Sequence, residues 1–226
     1  NCREFVKSME ENYDGNGLVC YASKAFSCLE MCRICKEEKL SAVTLSCFKI
    51  IEQIGTTGCL ALAMLNDEGI LAGCEGDLQS IFTLLAAKAL TGKAGFMANP
   101  SMINARTNEI ILAHCTVGLK QTEKYVIRNH FETETGIGIQ GILPTGDVTI
   151  LKCGGECLDE YYLSTGTLTE NTNYINMCRT QVRVKLDTSA DYFLKNPLGN
   201  HHILIHGNYE TVLNEFLQAN SCKRTE

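Results

Sequence analysis

The chain has 226 residues, 45% of them hydrophobic and 20% charged, with a formal net charge of −6. That is enough apolar material for one large globular unit or two small ones. The acidic balance argues against a nucleic-acid partner, and no apolar run reaches the ~18 residues of a membrane helix.

Thirteen cysteines is a high count. Most lie inside apolar periodic segments, where Cys behaves as a small hydrophobe. Reduced thiols in a cytoplasm are therefore expected rather than a secreted disulfide scaffold. The opening residues show no secretory signal and no initiating Met, and the chain is expected to be a fragment of a longer protein.

Cys2–Glu11 has the period of a helix, broken by Asp14-Gly-Asn-Gly17. Leu18–Tyr21 reads as a short strand and Ser23–Lys39 as an amphipathic helix. Cys28, Cys32 and Cys35 share one face of that helix, so they are expected in a core rather than around an iron–sulfur cluster. Ser41–Cys47 is β-rich, Gly55–Gly58 is a loop and Cys59–Leu65 is helical. The apolar run Gly69–Cys74 then delivers Glu75 and Asp77 to its end, immediately before a helix over Leu78–Leu90. A carboxylate at a strand tip before a helix is where open α/β sheets place their chemistry; the plain alternative is that both acids only start the helix. A strand over Gly95–Ala98 follows. Strands alternating with helices predict a mostly parallel α/β layer over 1–104.

Beyond Asn108 helical periodicity fades. Short strand-like runs recur at Glu109–Cys115, Tyr125–Arg128, Ile137–Ile142, Val148–Lys152, Leu163–Leu168, Gln181–Leu186 and Ile203–His206, with a closing helix over Glu210–Ala219. This predicts an antiparallel β-barrel or sandwich over 105–226. Gly136-x-Gly138-x-x-Gly141 matches a dinucleotide fingerprint in letters only, because no helix follows it. His114 ends one strand and His201-His202 opens another; strand alternation lets only one of that pair face a given site. One carboxylate and two histidines make a plausible divalent-metal site with open positions.

Several motifs in one order carry a family likeness. They are Leu65-Asn-Asp-Glu-Gly-Ile-Leu71 leading into Cys74-Glu-Gly-Asp-Leu78, Leu90-Thr-Gly-Lys93, Phe96-Met-Ala-Asn-Pro100, Ala113-His-Cys115, His130-Phe-Glu132, Cys178-Arg-Thr-Gln181 and Gly199-Asn-His-His202. From about Ser41 onward the chain resembles the C-terminal portion of the L-fucose isomerase-like proteins, distant relatives of L-arabinose isomerase. The resemblance implies an aldose–ketose isomerase working through an enediol with a divalent metal, usually Mn2+. It implies a small-molecule sugar as substrate and a homo-oligomer as the assembly. Glu75 resembles the first metal-binding carboxylate, which also transfers protons, and His201 the ligand histidine. His114 matches a histidine of the site. Asn99 falls where the second carboxylate is expected; an amide coordinates weakly and is no base, which leaves Asp77 as the substitute acid. His130, Arg179 and His202 are the candidates for substrate binding. The rival readings are a non-catalytic sugar-binding or regulatory relative and, on the cysteines alone, a redox protein.

Overall fold

The computed structural model describes residues 20–23 and 29–225. The helix expected over Cys2–Glu11, its terminating turn, and the thiols of Cys28 and Cys32 lie outside the described residues. Cys35 is fully buried, as expected for that helix face.

The first part is a small layer. Strands β1 (Cys20–Ser23), β2 (Ala42–Leu45) and β3 (Leu71–Gly73) pair in parallel in that order. Helices α1 (Leu29–Glu37), α2 (Cys47–Ile54) and α3 (Cys59–Asp67) connect them. Their core is apolar and continuous, from Cys35 and Leu40 through Val43 and Ile50 to Leu62 and Ala72. A disulfide joins Cys47, at the start of α2, to Cys74, just past β3. The expectation of reduced thiols is corrected at this pair: their Cα atoms stand 6.2 Å apart, an ordinary bridging distance. Among the described residues, Cys59, Cys115, Cys153, Cys157, Cys178 and Cys222 are free thiols.

Helix α4 (Leu78–Thr91) leads into the second part. Here β4 (Phe96–Asn104), β5 (Glu109–His114), β8 (Gly146–Gly154), β9 (Glu160–Asn171), β10 (Thr180–Leu186) and β11 (His202–His206) form a closed antiparallel barrel in the order β10-β5-β4-β11-β8-β9. Pairing of β9 with β10 closes it. A hairpin of β6 (Lys124–Arg128) and β7 (Gly138–Ile142) stands beside it. A one-turn helix α5 (Tyr192–Lys195) and helix α6 (Glu210–Ala219) complete the set, with β12 (Lys223–Arg224) added in parallel to β9.

One expectation is corrected here. The run Gly95–Ala98 is expected as a strand of the mostly parallel layer over 1–104. It is the start of β4, which pairs antiparallel with β5 and β11, so Asn99 belongs to the barrel wall. An apolar run states that a strand is buried, not the direction of its neighbours.

Period-two alternation divides the barrel's residues between two cores. Phe96, Ala98, Ile150 and Leu204 point inward, with Val182 and Val184. Met97, Leu151, Ile203 and Ile205 point outward and pack on Ile81, Leu84 and Ala87 of α4. Helix α4 is thus the element that fixes the strand end carrying Glu75 against the outside of β8 and β11.

Candidate metal centre

Glu75 and Gly76 both adopt left-handed backbone, with φ of 61° and 72°. This turns the chain sharply from β3 into α4 and projects the Glu75 carboxylate toward the barrel. Gly73 makes the close approach possible: a Cβ there would lie 2.7 Å from Ile81 Cδ1. The Glu75 N–H donates to Cys47 Sγ at 3.3 Å, so the disulfide also borders the turn.

Asp77 caps α4. Its Oδ1 accepts the Ser80 N–H at 2.8 Å and its Oδ2 accepts the Ser80 hydroxyl at 2.6 Å. Oδ2 also lies 3.0 Å from His201 Nδ1 and 3.4 Å from Lys152 Nζ. Burial favours the neutral acid, but hydrogen bonds from His201 and Ser80 and the Lys152 charge outweigh it. They hold the Asp77 carboxyl well below the usual carboxylate range.

An ionised carboxylate only accepts, so His201 Nδ1 must donate to Asp77. The remaining nitrogen, Nε2, is buried, has no hydrogen-bond partner, and faces Glu75 Oε1 at 3.5 Å. His114 approaches the same oxygen, Nε2 to Oε1, at 3.8 Å. Its other nitrogen, Nδ1, is held by Thr116 Oγ1 at 2.8 Å. The two imidazoles meet edge to face, with centroids 5.2 Å apart.

The close approach of His114 and then of His201 holds the Glu75 carboxyl far below its ordinary pKa, against its burial. Burial pushes the His114 pKa down. For His201 burial acts in the same sense, but Asp77 and Glu75 overcome it and raise the pKa.

One ligand atom each from Glu75, His114 and His201 lies within 4.8 Å of the other two. Bonds of about 2.0–2.2 Å to one ion place ligand atoms up to ~4.4 Å apart, so small side-chain adjustments bring all three onto a divalent cation. A neutral His201 presents a lone pair to a carboxylate oxygen, an arrangement that asks for a proton or a cation between them. The residues present therefore fit a divalent metal. Asp77 behind His201 and Thr116 behind His114 are the outer partners such a site uses to orient its ligands.

A narrow cavity of about 50 Å³ opens in front of the carboxylate; Glu75, Asn99, His114, His130 and Glu132 line it. His130 is buried, its Nδ1 lies 3.3 Å from Thr133 Oγ1, and burial lowers its pKa. The remaining candidates stand elsewhere. Arg179 Nε donates to the Asn129 carbonyl at 2.9 Å and its terminal nitrogen to Asn129 Oδ1 at 2.7 Å, so the guanidinium braces the loop that carries His130. His202 points into the barrel, where Nε2 meets the Tyr192 hydroxyl at 3.0 Å and burial pushes the ring's pKa down to about 3. Sequence reasoning missed Ser80, Thr116 and Lys152. Lys152 closes a strand-like run, where a lysine ordinarily reads as solvent-facing.

No family model matches the chain. Several curated proteins named sulfoquinovose isomerase are similar to it. The protein from Alkalicoccus urumqiensis is 24% identical over 152 residues, 59% of this chain and 34% of that protein. The one from Clostridium sp. (strain MSTE9) is 36% identical over 61 residues, 27% of this chain and 14% of that protein. The one from Priestia aryabhattai is 23% identical over 128 residues, 52% of this chain and 28% of that protein. The chain thus spans about a third, or less, of the length of the curated relatives it matches. Among the described residues no helix is long and apolar enough to cross a membrane.

Proposed function

We propose that this chain carries the metal-binding half of an aldose–ketose isomerase site of the L-fucose isomerase-like kind, acting on a sugar. The observation that carries the reading is the convergence of Glu75, His114 and His201, with the buried, unpartnered Nε2 of His201 aimed at the Glu75 carboxylate. The relatives' names supply the reaction class.

Glu75, His114 and His201 would hold the ion, with Mn2+ our assignment. A divalent cation held there supplies a fixed positive charge that polarises a sugar carbonyl and lowers the energy of the enediolate oxygen. The chain's own groups do the rest. Glu75, ionised at rest and facing the cavity, takes the proton from the carbon beside the carbonyl and returns it to the former carbonyl carbon, while the proton of the neighbouring hydroxyl passes to the former carbonyl oxygen. Asp77 keeps the His201 proton on Nδ1. His130, neutral because it is buried, and Asn99 offer hydrogen bonds to sugar hydroxyls from the cavity lining. We place the protein in the cytoplasm as a homo-oligomer, with a small sugar and neither nucleic acid nor membrane as its partner. We also propose the division into 1–104 and 105–226 as units of folding, although β4 lies wholly ahead of that boundary and pairs with β5 and β11 of the barrel beyond it.

A second reading has its own observation. Asn99 lines the cavity where the family likeness expects a second carboxylate, which suits a sugar-binding relative without turnover. Metal content and an isomerisation assay across L-fucose, L-arabinose and sulfoquinovose separate the two. Mn2+-dependent turnover that Glu75→Gln abolishes supports the enzyme. Sugar binding without turnover, with Asn99→Asp conferring turnover, supports the second reading. A protein that binds neither metal nor sugar sinks both.

A further inference from the structure

We propose that Lys152 is a positioning residue of the metal centre, acting through Asp77 on His201; this rests on reading Glu75, His114 and His201 as the ligands. Lys152 sits in β8 and is fully buried, between Leu151 and Cys153 on a strand that packs against α4. Burying an ammonium is costly unless its hydrogen bonds are met. Lys152 meets them on α4's first turn, donating to Ser80 Oγ at 2.8 Å and lying 3.4 Å from Asp77 Oδ2.

That geometry settles the Ser80 hydroxyl. Its oxygen accepts from Lys152, so its single proton goes to Asp77 Oδ2 at 2.6 Å. The hydroxyl and the Lys152 ammonium hold this oxygen from the helix side, and His201 Nδ1 meets it from the other. With the carboxylate fixed at both oxygens, the His201 ring has one orientation, with Nε2 toward Glu75. Gly199, in the turn before His201, lies beside the lysine stem: a Cβ added there would meet Lys152 Cε at 3.6 Å. Lys152 therefore holds the carboxylate that orients the imidazole.

The test is a double-mutant cycle between Lys152→Met and Asp77→Asn, read by calorimetric titration with Mn2+ alone and by 15N NMR of His201 in metal-free protein at pH 8. Lys152→Met should weaken Mn2+ binding by about 10–100-fold, the range for lost outer partners of a ligand. In the Asp77→Asn background it should cost nothing further, because its route is already cut. A lysine that only stabilised the fold would multiply the two losses, and that result overturns the proposal, as does wild-type affinity in Lys152→Met. Should Lys152→Met fail to fold, the double variant removes both buried charges and carries the test against Asp77→Asn alone. Equal Mn2+ affinity supports the proposal, and a further tenfold loss defeats it. If the wild-type chain binds no Mn2+, the ligand reading fails by itself and the NMR arm decides. His201 protonated at Nδ1 in wild type and mixed in Lys152→Met upholds the role of Lys152; unchanged His201 signals reject it.

Discussion

Glu75 is held in left-handed backbone, a conformation that costs a residue with a side chain about 1–2 kcal/mol. Strain of that kind persists where the surroundings over-determine it, and it tends to sit at functional positions. Two substitutions separate backbone from side chain. Glu75→Gly should be more stable than Glu75→Ala by about 1 kcal/mol in urea unfolding, because glycine accepts the conformation freely. Neither should bind Mn2+. Equal stability of the pair would mean that the turn is not strained. The carboxylates also set a pH dependence in metal-free protein. Glu75 and Asp77 have depressed folded-state pKa values, so the stability they contribute is full above their unfolded values near about 4 and is lost as pH falls through the folded ones. His201 has a raised value, so its contribution is full below about 6.5 and is lost as pH rises through the folded value. His114, His130 and His202 have lowered values, so the stability they contribute is full above about 6.5 and is lost as pH falls through the folded ones; with the carboxylates they make stability decline from near neutrality toward acid. Urea midpoints measured across pH in EDTA should show the acid-side fall, and Glu75→Gln should make it shallower. An acid limb identical in the variant would count against the Glu75 assignment.

The barrel closes between β9 and β10, and Gly166 on β9 lies at that seam. A Cβ there would press on the Lys185 carbonyl of the paired strand, a backbone atom that cannot move alone. A glycine inside a strand often marks such a close approach. Gly166→Ala should therefore cost about 2–3 kcal/mol, at the upper end for overpacking, and lower the thermal midpoint while leaving the Mn2+ affinity of the folded protein unchanged. A variant as stable as wild type would mean that the seam yields. The same element scale explains what the sequence discloses. The helices with clear period and the runs of the barrel strands are legible because each buries one face or alternates. Helix α2 is not, since it follows a β-rich run at once and its Ser46 makes no side-chain cap. Pro100 reads as a strand end, yet a bulge between Pro100 and Met102 lets β4 continue past it. At the site, the strand-to-helix passage points to Glu75 and Asp77, and alternation forces a choice between His201 and His202. The Cys47–Cys74 bridge and the burial of Lys152 depend on how α2 and α4 dock, and no local pattern carries that information.

At the scale of the molecule, the proposed ligands come from both parts of the fold. Glu75 stands at the end of the parallel layer's β3, whereas His114 ends β5 and His201 immediately precedes β11 of the barrel. Between the parts α4 is one structural link, with apolar packing on β8 and β11 and hydrogen bonds from Lys152 and Cys153 of β8, and Thr57–Ile137 and Lys120–Asp67 hydrogen bonds add further links. Apolar docking fixes distance without fixing the direction of a carboxylate. An ion shared by all three ligands would add a directional link and would bind the native arrangement alone, since unfolding separates residues 75, 114 and 201. Binding linkage then gives about 2.7 kcal/mol of added stability when free Mn2+ is 100 times its dissociation constant. The expected result is a higher thermal midpoint with Mn2+, reversed by EDTA, in the wild-type chain. Glu75→Gln and His201→Ala should each lose the shift, because each removes one side of the link. Their metal-free melting should still show one cooperative transition, since the α4 contacts remain. Should Glu75→Gln keep the full Mn2+ shift, the ion would be held by the barrel histidines without the layer, and a centre that spans both parts would be ruled out.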